Sequence, residues 1–308
     1  MNSSSLKTKT RRFILSENPY LYILPAVILF LAIMGFPTIF SLASSFFNWV
    51  GAKRPFEEFI GFQNFIRLVN DKYFYIALKN TIIFTFATII FQNLFGYILA
   101  IIIHFGRFRY SSLIKTIIFF PAILSPIVVS LVWRQMFISD GFFNTLFETL
   151  SMDFLVIPWL MQTNLLIWIF AGISIWQYVG YTIIIFYAGL QSINTEVMEA
   201  ATIDGASFYT IIIKIITPII KPTIILAVIL TALGGFKVFE IVFLFTRGGP
   251  LHLTETVTTY MYFLAFDVKG GGLAYYSYAN TLIFTSMSIV FLLGFLRIRF
   301  TVNRGGTL

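Results

Sequence analysis

The chain has 308 residues, 58% hydrophobic and only 11% charged, with a mean hydropathy of +0.88. Soluble domains carry about 25% charged residues, so lipid must be the solvent for much of this surface, and a water-soluble globular protein is excluded. The net charge of +8 is therefore read as lysine and arginine flanking membrane spans rather than as a nucleic-acid footprint. The absence of cysteine removes disulfides, thiolate metal sites and a cysteine nucleophile.

In chain order, the basic N-terminus MNSSSLKTKTRRFILSENPY leads into an apolar run too long for a signal-peptide core, read as a retained first span. A spanning helix needs about 20 mainly apolar residues. Six stretches qualify: 20–47, 78–105, 112–137, 165–190, 222–246 and 279–299. Ten-residue alternation of the β-barrel kind is absent, so the expected fold is an all-α integral membrane protein, a single transmembrane domain over 1–308 with six helices. With the N-terminus inside, twelve Lys and Arg fall on inner segments, from Lys7 to Arg12, at Arg107, Arg109, Lys115, Lys214 and Lys221, and from Arg297 to Arg304. Seven fall outside: Lys53, Arg54, Arg67, Lys72, Lys79, Arg247 and Lys269. This bias puts both termini in the cytoplasm of a multi-pass cell-membrane protein. Pro25, Pro37, Pro121 and Pro126 are expected to kink their spans. The outer loop 48–77 predicts a short interfacial helix near GFQNFIRLVND. Loop 138–164 carries acids and no base. Loop 247–278 runs from RGGP to KGGGLAYYSYAN.

Between the fourth and fifth spans lies QSINTEVMEAATIDGASFYTIIIKIITPIIKP, residues 191–222. Thr195 or Asn194 can cap a helix whose early turns hold Glu196 and Glu199, complementing the helix dipole. Ala200 and Ala201 favour the helix and leave a low surface for a partner. Asp204-Gly205 should break it, because glycine accepts a left-handed turn cheaply. A second stretch, SFYTIIIKII, is bounded by Pro218 and Pro222. The expected product is a helix–turn–helix elbow. A surface helix seeking lipid would present Lys and Arg; this one presents Glu196, Glu199 and Asp204, which suits a protein partner.

Glu199-Ala200-Ala201, three residues, Gly205, nine residues, Ile215, one residue and Thr217-Pro218 resemble the EAA signature of ABC importer permeases; Thr217 stands where Leu is usual. PYLYILPAVILFLAIMGFPTIFSLASSFFNW, FIGFQNFIRLV and TRGGP followed by TETVTTYMYFLAF are similar to the sugar permease branch, over about residues 18–300. The resemblance implies an importer subunit for a carbohydrate, a di- or oligosaccharide, delivered by an extracytoplasmic sugar-binding protein. It implies that Glu199, Ala200, Ala201, Asp204 and Gly205 form the coupling helix docking on an ATP-binding subunit, present in two copies. It implies a second permease subunit, either a homologue or another copy of this chain. This chain has no G-x-x-x-x-G-K-[ST] loop, so ATP and Mg are expected on the partner and no cofactor on this chain.

Ionisable groups inside a span default to a functional hypothesis. In TALGGFKVFEIVFLF, Lys237 and Glu240 are three apart, so they share a helix face and can pair, with Gly234 and Gly235 loosening the helix before them. In WQYVGYT, Trp176, Gln177, Tyr178 and Tyr181 combine rings with hydrogen-bonding groups suited to a sugar. The resemblance implies a substrate path lined by these two spans. Alternative readings are weaker. An ion-coupled secondary transporter of a small polar solute would carry buried acids in several spans and paired repeats, and only Glu240 stands inside a span. A membrane-embedded enzyme would need a motif such as H-E-x-x-H, whereas His104 and His252 are isolated and form no metal motif.

Overall fold

A computed structural model describes residues 20–51, 54–106, 111–266 and 274–289. The basic N-terminus, Arg107, Arg109, the KGGGL of KGGGLAYYSYAN and the far end of the expected sixth span lie outside them. Among the described residues there are helices and two isolated β-bridges, but no strand. The chain forms two compact units, residues 71–263 and residues 1–70 with 264–308.

In the second of these, α1 (Tyr22–Ser44) is long and apolar enough to cross a membrane. Its Leu31–Gly35 stretch is π-helical, two residues ahead of Pro37. The wider turn accommodates a ring that would otherwise strike the preceding turn's carbonyl. The expected interfacial helix forms as α2 (Gln63–Val69). It is pinned to the end of α1 by Asn64, whose Nδ2 donates to the Ser45 carbonyl (2.9 Å). Phe46 packs on Phe62 and Phe65 (5.4 Å each). Arg67 lies over the rings of Tyr275 and Tyr278. A helix over residues 276–289 covers the described part of the sixth span.

The larger unit begins with α3 (Lys72–Phe105), 34 residues where 78–105 was expected. The apolar run does start near 78, but Asp71 Oδ1 accepts the Tyr73 and Phe74 amides (2.9 and 3.4 Å), and this cap starts the helix earlier. The expected third span, 112–137, is not one helix. It is α4 (Ser111–Ile123) and α5 (Pro126–Met136), bent by 89°. Ser125 is extended (ψ 129°), the conformation that a following proline imposes. Loop 138–164 contains α6 (Phe142–Thr149), tied down by buried Asn144, which donates to the Ser139 and Ile157 carbonyls and accepts from the Trp159 indole (2.7 Å). The fourth span is α7 (Thr163–Gln191), an unbroken 29-residue helix packed against α3, α4 and the later Lys221–Phe236 helix.

Beyond it come α8 (Thr195–Ile203) and α9 (Phe208–Ile219), then α10 (Lys221–Phe236) and α11 (Glu240–Thr246), which together make the fifth span. Loop 247–278, for which the sequence suggested no element, holds a ten-residue helix, α12 (Val257–Phe266). It is half the length of a span, so a search for spans passes over it. Among the described residues, four helices are long and apolar enough to span, or five if the bent α4–α5 pair counts as one.

Lipid tails give apolar helices no reason to prefer each other over solvent, so contact in a membrane favours small residues that allow close approach. An added Cβ at Gly180 would sit 2.9 Å from the Ile118 carbonyl of α4, one at Gly189 would sit 2.9 Å from Thr223 of α10, and one at Gly96 would strike Thr182. Two clusters complete the packing: Phe84, Phe170, Val242 and Phe245 with their neighbours, and Ile103, Phe186, Leu190 and Ile216 with theirs.

Candidate functional site

Two features stand out in the larger unit: a cavity and the elbow. The cavity, about 450 Å³, lies between the two places where spanning helices break. In lipid, every backbone polar group must find a partner inside the protein. At each break, side chains from elsewhere supply one.

The first break separates α4 from α5. Gln177 Nε2 of α7 donates to the Leu124 carbonyl (3.1 Å) and Tyr181 OH to the Ala122 carbonyl (3.3 Å). Pro126 and Ser130 carry the broken helix onto the cavity wall. The second break separates α10 from α11. Lys237 ends α10 with φ −95° and ψ 5°, and Phe239 sits at φ −136° and ψ −60°. Gly234, Gly235, Lys237, Val238 and Glu240 of this break all line the cavity.

Of the seven pathway candidates, Gln177, Tyr178, Tyr181, Gly235, Lys237 and Glu240 line the cavity. Trp176 does not: it stands edge-on to Trp133 at 5.5 Å and is 43% exposed. The Lys237–Glu240 ion pair that the spacing allows is not formed among the described residues. The i,i+3 relation needs one continuous helix, and the helix ends between them. Both side chains are exposed to the cavity. Gln177 and Tyr181 have a second duty that their sequence does not announce, since their donors already hold the α4–α5 break. Gly235 is explained by space: a Cβ there would meet Thr85 Oγ1 at 2.7 Å and Thr85 Cα at 3.0 Å, so glycine lets α10 lie against α3.

Sequence reasoning passed over the α3 wall. Thr88 and Gln92 line the cavity, in a π-helical stretch from Thr88 to Gln92. Gln92 Nε2 donates to the Tyr178 carbonyl (3.3 Å), Thr182 Oγ1 donates to the Gln92 carbonyl (3.3 Å), and Asn93 Nδ2 reaches Thr231 Oγ1 (3.2 Å). The available signal was the pair of amides at 92 and 93 inside an apolar run. The wall as a whole offers hydroxyls, amides and one charge of each sign, which suits a polar, hydroxyl-rich solute of little net charge.

The elbow forms as expected. Asn194, not Thr195, is the cap: its Oδ1 accepts the Glu196 amide (3.0 Å). At the other end, the Ala206 amide donates to the Ala201 carbonyl and the Gly205 amide to the Thr202 carbonyl (3.0 Å each), with Gly205 at φ +75°. This is the paired closure of a glycine-terminated helix. The two alanines divide: Ala201 is buried against the cluster around Ile103 and Leu190, while Ala200 is exposed beside Glu199. Ile203 is 86% exposed and Tyr209 74%. Phe208 anchors the second arm edge-on to Phe105 of α3 (5.6 Å). Thr217, in the position where the signature has Leu, donates to the Ile212 carbonyl and so accepts the 2.7 Å hydrogen bond from the Tyr97 hydroxyl. It thus ties α9 to α3 by a polar contact instead of an apolar one.

Residues 92–301 match the family described as binding-protein-dependent transport system inner membrane component. The lactose transport system permease protein LacF of Rhizobium radiobacter is 32% identical over 285 residues, covering 91% of this chain and 92% of that protein. A crystal structure of a bacterial ABC transporter involved in the import of the acidic polysaccharide alginate has a chain that superposes with a TM-score of 0.78 at 25% identity, covering 99% of this chain and 100% of that one. A second, of a bacterial alginate ABC transporter in complex with alginate pentasaccharide-bound periplasmic protein, gives 0.76 at 25% identity, covering 96% and 97%. With its apolar spans, its elbow and these likenesses, the chain belongs to the binding-protein-dependent transport system inner membrane components and is a multi-pass protein of the cell membrane.

Proposed function

We propose that this chain is the permease subunit of an ATP-driven importer and that the cavity is a station on the path of a di- or oligosaccharide. The observation that carries the reading is a cavity between two broken helices, in which Gln92, Gln177, Tyr178, Tyr181, Lys237 and Glu240 converge within a largely apolar wall. Irregular backbone at membrane depth is tolerated where it borders a cavity, and broken helices mark binding sites in transporters. LacF, named for lactose, and the alginate transporter with its pentasaccharide-bound periplasmic protein support a saccharide cargo and an extracytoplasmic binding protein. Six spans with both termini cytoplasmic complete the topology, which puts the elbow on the cytoplasmic side.

There Glu196, Glu199, Ala200, Asp204 and Gly205, with exposed Ile203 and Tyr209, form the face that meets an ATP-binding subunit. ATP and Mg bind to that subunit, present in two copies; this chain transmits the motion. A second permease subunit, homologous or identical, forms the other wall of the path. In this mechanism, closure of the ATP-binding subunits pushes the elbow, and the bundle around α3, α7 and α10 passes the push to the cavity. Ala201 makes that transmission stiff because it locks α8 into the same cluster as Ile103, Phe186 and Leu190.

The test is uptake by the complete transporter, reconstituted with its ATP-binding subunit and binding protein. Lys237→Ala and Glu240→Ala should change saccharide uptake more than they change the amount of assembled complex. Unchanged uptake in both would remove the cavity from the path.

A further inference from the structure

The break that presents Lys237 and Glu240 to the cavity poses a problem in the membrane. A continuous helix would give the Phe236 and Val238 carbonyls the amides of residues 240 and 242. Among the described residues neither bond is made. Two threonines some twenty residues further along the chain take their place. Thr256 Oγ1 donates to the Val238 carbonyl (3.1 Å), and Thr258 Oγ1 donates to the Phe236 carbonyl (3.2 Å). These two carbonyls flank Lys237 on either side.

The segment that carries the threonines is firmly seated. Thr254, Glu255, Thr256 and Thr259 are fully buried. Asn80 Nδ2 of α3 donates to the carbonyls of Leu253 and Glu255 (2.9 Å each). The Val257 amide donates to Thr81 Oγ1 (3.0 Å). Thr246 and Thr254 share a 2.7 Å hydroxyl contact, and Tyr260 OH donates to Asp71 (2.6 Å). The threonine strap is thus fixed to the first three turns of α3, and it fixes the break in turn.

We propose that Thr256 and Thr258 are positioning residues for the transport path: they hold α10–α11 broken and so keep the residue-237 side chain facing the cavity. The inference rests on the reading of the cavity as part of that path. Without the two hydroxyls, the cheapest way to satisfy the Phe236 and Val238 carbonyls is to re-form helical bonds to the 240 and 242 amides. That winds the break and turns position 237 away.

The chain contains no cysteine, so a single introduced thiol reports position directly. Lys237→Cys is made in the full transporter in native membranes, in vesicles open on both faces. Its rate of reaction with a charged methanethiosulfonate is measured. Phe154→Cys on loop 138–164, 78% exposed and outside both the cavity and the elbow, serves as the control for assembly. Adding Thr256→Val and Thr258→Val should slow labelling at 237 by about fivefold or more, the population shift expected for two lost hydrogen bonds, with labelling at 154 unchanged. Thr256→Ser and Thr258→Ser should restore the original rate. If the double valine variant does not assemble, Thr258→Val alone, at the half-buried position, is expected to give the same direction with a smaller effect. Equal rates at 237 with and without the hydroxyls would overturn the inference and leave the cavity reading intact. A thiol at 237 that does not react even in the parent background would show no aqueous access, and both readings would fall together.

Discussion

Gly205 is the most exacting test of the elbow. It sits at φ +75°, and a Cβ built on it meets nothing within 4 Å. A side chain there therefore costs no packing, and the whole penalty is backbone conformation. An L-residue in the left-handed region costs roughly 1–2 kcal/mol, and a β-branched one lies at the upper end because its χ1 is also restricted. A cost of that size shifts a local equilibrium by about 5–30-fold. It falls on the closure in which Ala206 and Gly205 amides cap the Ala201 and Thr202 carbonyls. Ala201 remains buried in the bundle, so Gly205→Val should leave the protein in the membrane while misdirecting α9 relative to α8. In proteoliposomes holding the whole transporter, ATP hydrolysed per saccharide imported should rise, and the ATP-binding subunit should co-purify less well. Gly205→Asn, a residue that also tolerates this conformation, should stay close to the parent. If valine, asparagine and glycine give the same coupling ratio, the elbow's geometry is not what couples hydrolysis to transport.

Other substitutions address the scaffold. Asn80→Ala strands the Leu253 and Glu255 carbonyls and should cost about 1–3 kcal/mol for a buried group left unsatisfied, read as a lower midpoint of thermal unfolding in detergent. Thr217→Val removes the bond to Tyr97 and should cost about 1 kcal/mol; the double variant with Tyr97→Phe should be no worse than the sum less that shared contact. Gly180→Ala drives a methyl into α4 backbone, 2.9 Å from the Ile118 carbonyl and Phe119 Cα, so recovery of monodisperse protein should fall, and parental yield would contradict the close crossing of α4 and α7. Trp176→Ala, off the cavity, should alter saccharide uptake less than Tyr178→Ala on its wall; the reverse order would relocate the path.

Much of this protein is legible along the chain because lipid imposes one-dimensional rules. A span must be a run of about 20 apolar residues, so α1, α7 and the α10–α11 stretch are visible without any knowledge of neighbours. The elbow is equally local: a cap at Asn194, two acids in the early turns and a glycine that must turn left-handed at 205 all act within a dozen residues. What the chain does not reveal is where a helix stays broken. Pro126 hints at the α4–α5 bend, but a proline in lipid is compatible with a mere kink. The 89° turn persists because Gln177 and Tyr181, more than fifty residues away, satisfy the Leu124 and Ala122 carbonyls. The break at Lys237 carries no proline and looks like a good place for an i,i+3 ion pair. It is decided by Thr256 and Thr258, whose value as donors exists only once the strap has folded onto α3. Apolar length and local caps are set by neighbours in sequence, so the sequence alone determines which segments are apolar enough to cross a membrane. The sites of chain rupture, and with them the cavity, depend on partners for freed carbonyls, and those partners are brought within reach by tertiary structure alone.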